Sequence, residues 1–141
     1  MGNRTRLKLS LLLYVACSGA AQAATATPEQ ILDALVQQAR QVQPGFSPSA
    51  SRGEQFYRAR QTGGKVADSC ASCHTDNPKA EGKHVKTHKA VEPLAPVVNR
   101  QRFTDPAHVE KWFRRNCREV LGRECTPQEK ADFTAYVLSV K

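Results

Sequence analysis

The run "CASCH", Cys70 to His74, constrains this chain more than any other five residues in it. Two thiols stand three positions apart and an imidazole follows the second directly, the spacing of a c-type haem attachment signature. The thiols add to two vinyl groups on one porphyrin edge, and the neighbouring imidazole turns beneath the ring to ligate iron. Three other readings compete. A zinc site wants a second pair of ligands in tetrahedral reach, a redox dithiol wants a βαβ context, and a structural disulfide is the third. On the haem reading Cys70 and Cys73 are the covalent anchors and His74 is the proximal ligand.

The ends of the chain favour that reading. Residues 1–23 have the form of a secretory signal: Arg4, Arg6 and Lys8, then the apolar run "LSLLLYVA", then the small-residue site "AQA". The apolar run is too short to span a bilayer. The expected product is a periplasmic domain over residues 24–141, with no stable membrane insertion. Cys17 would support a lipid anchor only if cleavage fell before it, and Tyr14 stands where such signals carry an aliphatic residue. Four cysteines then remain in an oxidising compartment: Cys70, Cys73, Cys117 and Cys125. A domain this small gains from a covalent staple or a cofactor.

Periodicity predicts an all-α chain of about four helices. "TPEQILDALVQQARQ" opens with a capping box on Thr27 and carries Ile31, Leu35, Ala39 and Val42 on one stripe. "SRGEQFYRARQ" reads as a second helix, capped by Ser51 with Glu54 three residues on and ended by Gly63 and Gly64. The third runs from Thr104-Asp105-Pro106 to Gly122, and the fourth starts at the capping box "TPQE" and carries Phe133, Tyr136, Val137 and Val140. Residues 75–103 lack periodicity and read as a long loop, which in so small a domain needs something to wrap around.

Electron-carrying c-type cytochromes commonly hold the second axial position with methionine. The sole methionine here is Met1, which signal cleavage would remove. The distal candidates are His84 and His88 in the loop, His108, a loop lysine, Asn116, or an open site. In the third helix Val109, Trp112, Phe113 and Val120 form an apolar stripe, and Asn116 fills its remaining slot. A buried amide there needs a partner. That partner is either the iron, with Trp112 and Phe113 packing beside it, or an ordinary backbone or propionate acceptor. Cys117 and Cys125 are expected to bond to each other, gripping the residue next to Asn116. For the proximal side, "EPLAP" offers the carbonyl of Pro93 or Pro96 to the His74 ring.

The stretch "RFTDPAHVEKWFRRNCREVLGRECTPQEKAD", with "EPLAP" before it and "TGGK…CASCH" further upstream, resembles the sphaeroides haem protein (SHP) family of class I cytochromes c. The resemblance runs from about Thr27 to the C-terminus. It implies a class I cytochrome c fold around one haem, with the helix bearing Gly53 and Phe56 crossing the terminal helix bearing Tyr136. It also implies that Asn116 is the distal ligand of oxidised iron, flanked by a Cys117–Cys125 disulfide. That ligand leaves on reduction, so that O₂, NO or CO can bind. One position departs from the pattern: Thr87-His88-Lys89 stands where Thr-Gly-Lys is expected. His88, or His84, therefore stays a competing distal ligand, giving a low-potential bis-histidine carrier as the alternative.

The implied function is electron transfer with another c-type cytochrome as donor, joined to binding of a diatomic gas. An enzyme acting on NO, O₂ or peroxide would want a distal acid/base pair, for which His88 is the only hint. The formal charge of +8 is spread over loops with no aromatic ladder, which speaks against nucleic acid. A positive face could steer an acidic redox partner. Arg114, Arg115 and Arg118 flank Asn116, and one of them is a candidate for pairing with a haem propionate.

Overall fold

A computed structural model describes residues 25–141. The signal segment and Cys17 lie outside the described residues. Four helices of regular length carry the fold: α1 (Pro28–Val42), α2 (Ala50–Arg58), α4 (Pro106–Leu121) and α5 (Pro127–Ser139). Between them lie a single helical turn, α3 (Ala71–His74), and a minimal antiparallel pair, β1 (Gly82–Lys83) with β2 (Ala90–Val91). The domain is mostly helical, and no helix among the described residues is long and apolar enough to cross a membrane.

Helix starts follow local chemistry. Thr27 and Thr126 each accept the backbone N–H of the third helical residue, and Gln30 and Glu129 reach back to the cap N–H. These reciprocal pairs satisfy donors that a helix end otherwise leaves bare. Asp105 accepts from Ala107 and His108 to start α4, which stops at Gly122. The start of α2 differs from the sequence reading. Its cap is Ser49, not Ser51, and the helix ends at Ala59, well before Gly63.

The reason is tertiary. Buried Asp132 of α5 accepts the Ser49 N–H at 2.7 Å and receives Arg52 on both oxygens, through Nε at 2.7 Å and Nη2 at 2.8 Å. A charged pair this well hydrogen-bonded outweighs the local preference for a later cap. It also fixes where α2 lies on α5. Gly53 sits at the crossing: a Cβ there would fall 1.9 Å from the Asp132 carbonyl oxygen and 2.8 Å from the Tyr136 Cβ. Only a residue without a side chain lets the two backbones approach so closely. The core continues through Tyr57, Ala131, Thr134 and Val137, all fully buried, with Ile31, Leu35 and Ala39 of α1 on the other side.

Gly63 and Gly64 do not cap α2. They lie against the end of α4, where a Cβ would meet the carbonyls of Leu121 and of Glu119 and Val120. Together with the bond from Val66 N–H to Glu119 O (3.1 Å), this contact ties the loop before CASCH to the C-terminal end of α4. The segment 75–103, expected to be irregular throughout, folds back on itself through the β1–β2 pair.

Candidate haem site

CASCH forms the turn α3, so Cys70 and Cys73 stand one turn apart with His74 at its end. Both cysteines are free thiols. Burial pushes the Cys70 thiol up to about 12, which keeps it protonated in the folded chain. The His74 imidazole is held down to about 4, first by burial and then by the nearby Arg102 charge, so it is neutral and offers a lone pair.

The residue after His74 is under strain. Thr75 has φ +63° and ψ 172°, a conformation that residues other than glycine rarely adopt. It is held there from three directions. The hydroxyl of fully buried Tyr57 donates to the Thr75 carbonyl at 2.6 Å. The Thr75 hydroxyl accepts from Asn77 N–H at 3.1 Å and donates to the Asn77 carbonyl at 2.9 Å. α2 therefore grips the end of the motif directly. Tyr57 was legible in the sequence only as a residue of the second helix, and its role depends on a partner 18 residues away.

The hairpin packs on the same turn. A Cβ on Gly82 would fall 1.9 Å from the Cys73 carbonyl oxygen and 3.0 Å from the His74 Cα, so this position too requires glycine. At the base of the hairpin Arg102 donates to the carbonyls of Pro93 (3.0 Å, Nε) and Glu92 (2.9 Å, Nη2). The Pro93 carbonyl also receives the Asn99 amide at 3.3 Å. Arg102 and Asn99 thus reach the Pro93 carbonyl, one of the two, with that of Pro96, that the sequence offered to the His74 ring. Arg102 is half-buried and no carboxylate lies within ion-pair distance among the described residues.

On α4 the stripe read from the sequence splits into two rows. Phe113, Cys117, Val120 and Leu121 are buried, and Val109, Trp112 and Asn116 are half-buried beside them. Phe113 meets Phe133 edge-on at 5.5 Å between ring centres, with Lys130 Nζ 5.8 Å from its ring centre. Its packing is thus against α5. Trp112 donates its indole N–H to His108, and the Arg115 guanidinium lies 5.2 Å from its ring centre. No hydrogen bond links the Asn116 amide to another described residue. Cys117 is bonded to Cys125 eight residues on, which fixes the backbone next to Asn116. Arg115 pairs with Glu119 and Arg118 with Glu124, both on the surface. Lys111, Arg114, Arg115, Arg118 and Glu119 line a shallow groove of about 440 Å³ on that face.

The loop histidines differ from each other. His88 is exposed, with φ +56°. The turn there is left-handed, which explains why glycine is expected at this position, since glycine adopts it freely and a β-carbon resists it. The His84 ring accepts two backbone N–H groups on Nδ1, from Lys86 and Thr87, each at 3.2 Å. Its Nε2 is buried without a partner.

These residues fit a haem better than a bare metal ion. A zinc site would need four protein ligands, and among the described residues no three His, Cys, Asp or Glu side chains gather in a metal-holding group. A porphyrin brings four nitrogens of its own and asks the protein for one or two axial donors, two thiols and partners for its carboxylates. Free thiols one turn apart, a neutral imidazole beside them and an orphaned buried ring nitrogen are the groups such a cofactor uses.

Comparison with known proteins agrees. Residues 43–137 match the family described as Domain of unknown function (DUF1924). The chain is 40% identical over 128 residues to the cytochrome c-type protein SHP of Cereibacter sphaeroides, covering 90% of this chain and 95% of that protein. It is 46% identical over 95 residues to cytochrome c'' of Methylophilus methylotrophus, covering 66% of this chain and 65% of the relative. Oxidised SHP, described as an oxygen-binding cytochrome c, superposes with a TM-score of 0.72 at 41% identity, over 79% of this chain and 96% of that one. The solution structure of cytochrome c'', which addresses haem-ligand detachment, gives 0.68 at 42% identity, over 79% and 92%. With a shared fold and identity well above 30% across most of its length, the chain belongs to the DUF1924 family and to the haem-bearing c-type cytochromes typified by SHP and cytochrome c''.

Proposed function

We propose that the chain is a periplasmic monohaem cytochrome that takes electrons from another c-type cytochrome and binds a diatomic gas at a position vacated by Asn116. A haem held there would supply an iron that changes oxidation state. Cys70 and Cys73 would anchor it through their sulfurs. His74 would offer its imidazole nitrogen to the iron, kept neutral by burial and held at the strained end of α3 by the Tyr57–Thr75 contact.

The observation that carries this reading is the Asn116 amide. It is half-buried beside Val109 and Trp112, has no hydrogen-bond partner among the described residues, and lies next to a cystine. A neutral amide oxygen is a weak donor compared with imidazole or thioether, so Asn116 would be a loosely held ligand to a haem iron. The Cys117–Cys125 cystine fixes the backbone beside that side chain. Oxygen binding by SHP and haem-ligand detachment in cytochrome c'' support a haem here that has a detachable ligand and binds a gas.

The loop histidines fit a distal role less well. His88 is exposed, and a His84 ring that accepts on Nδ1 carries its proton on Nε2, where a ligand needs a lone pair. The cationic groove on α4, close to Asn116, suits an acidic redox partner, because Lys111 and Arg114 have no carboxylate partner among the described residues.

The test is spectroscopic. Asn116→Ala in the haem-loaded protein is expected to change the ferric absorption and EPR spectra while leaving the ferrous CO adduct intact. An unchanged ferric spectrum, together with low-spin ferrous haem lost in His84→Ala or His88→Ala, would replace this reading with bis-histidine ligation. Rapid multiple turnover of NO or peroxide would make the protein an enzyme.

A further inference from the structure

The backbone of His74 is held from three sides, and only one of them works against a strained conformation. Within α3 the His74 N–H donates to the Cys70 carbonyl at 3.1 Å. From the hairpin, Gly82 comes so near that a Cβ on it would fall 3.0 Å from the His74 Cα. Neither Gly82 nor His74 has a positive φ.

The third side differs. Two consecutive residues of α2 reach the chain just after His74. The Tyr57 hydroxyl donates to the Thr75 carbonyl at 2.6 Å, and Arg58 donates through Nη2 to the Asp76 carbonyl at 3.1 Å. Thr75 itself stands at φ +63° and ψ 172°. A β-carbon resists that region, so a Thr75 whose carbonyl lost its partner would turn back towards negative φ. The peptide that joins Thr75 to His74 would turn with it.

Of the two grips, Tyr57 is the stiff one. Its ring is fully buried, 5.4 Å from the Tyr136 ring and 6.2 Å from that of Phe133, centre to centre. The helix that carries it is fixed on α5 by the Arg52–Asp132 pair. Arg58 and Asp76 are both exposed, and Arg58 divides its guanidinium between Asp76 and Glu54, an arrangement that constrains little. A buried hydroxyl has no water to turn to, so its bond to Thr75 is costly to give up.

We propose that Tyr57 is a positioning residue for His74: its hydroxyl, acting through the strained Thr75 backbone, sets the orientation at which the His74 imidazole meets a haem iron. The proposal rests on the haem reading above and is independent of which group stands on the distal side. An imidazole held in one orientation is a steadier donor than one free to tilt, and the axial donor is one of the levers on a haem potential.

The experiment compares haem-loaded wild type with Tyr57→Phe, Thr75→Gly and the double variant. Phenylalanine keeps the ring in the core and removes only the hydroxyl, whereas glycine takes a positive φ without strain. The readouts are the hyperfine-shifted His74 proton resonances in NMR of the ferric protein, the reduction potential and thermal melting. Tyr57→Phe is expected to move and broaden the His74 resonances. It is also expected to raise the equilibrium constant for reduction about threefold, the scale of one weak hydrogen bond. Thr75→Gly alone is expected to leave the resonances in place, since the Tyr57 hydroxyl still holds the carbonyl. In the double variant the displacement is expected to shrink to about half or less, because glycine keeps the conformation unaided. Unmoved resonances and an unchanged potential in Tyr57→Phe, with a lower melting temperature, would overturn the proposal and leave Tyr57 a core residue only. Equal displacements with and without Thr75→Gly would overturn it as well, because the hydroxyl would not then be acting through the strained residue. Failure of the haem reading would appear separately, as the absence of a c-type pyridine haemochrome from the wild type.

Discussion

The α2–α5 crossing and the CASCH–hairpin region pack with equal closeness yet finish their polar chemistry differently. At the crossing, Asp132 meets Ser49 and Arg52, and Tyr57 finds the Thr75 carbonyl. Around CASCH, backbone contacts are as tight, since Gly82 touches Cys73 as closely as Gly53 touches Asp132. There, however, His84 Nε2 is orphaned and Arg102 has only carbonyls for its charge. A protein that satisfies its groups fully in one half and leaves them open in the other marks the second half as a place for a ligand. Close packing without polar closure is thus more informative than a cavity.

The strongest way to break the comparison is at the closed side. Gly53→Ala puts a methyl group into the Asp132 carbonyl, and the cost is expected to be about 4 kcal/mol or more, read as loss of the folded baseline in urea. A cost below about 1 kcal/mol would show that the crossing can slide.

On the open side, the haem-free folded protein should shield Cys70 from iodoacetamide at pH 8. With the thiol pushed up by burial the thiolate fraction is low, so alkylation should be slower than in urea. Mass spectrometry of the labelled peptides checks this, and equal rates in the two states would show the thiol to be unburied.

The cystine is the next largest lever. Cys117→Ser with Cys125→Ser opens a loop of eight residues, and stability is expected to fall by about 2–3 kcal/mol in chemical denaturation. The ferric spectrum should broaden with it if the cystine steadies Asn116. A stability loss with no spectral effect would confine the bridge to stapling.

The smallest effect is expected at His88. Replacing it with glycine relieves a left-handed position, and the relief is nearly offset by the greater freedom of glycine in the unfolded chain. A change within about 1 kcal/mol and an unaltered haem spectrum are expected from His88→Gly. A lost spectral band would make His88 a ligand.

Much of the site could be read in advance because its signals are short-range. CASCH carries its chemistry within five residues, and the caps at Thr27, Asp105 and Thr126 each act across one turn. Other features had no such signal. Ser49 displaced Ser51 as a cap because Asp132, more than eighty residues away, takes its N–H. Trp112 and Phe113 read as neighbours on one stripe, but Phe113 packs on Phe133 whereas Trp112 meets His108 and Arg115. The carbonyl of Pro93 or Pro96 read as a partner for His74, and Arg102 and Asn99 reach that of Pro93.

By itself, the sequence determined the attachment motif, the helical periodicity and the fact that Met1 is the sole methionine. Each of these is a matter of residue type and of spacing within one or two turns. Only the tertiary structure decided which nitrogen of His84 keeps its proton, that His88 occupies a left-handed turn, and that Tyr57 grips the strained residue after His74. Those outcomes turn on which groups meet across the fold, and hydrogen bonds between distant residues have no local pattern to announce them.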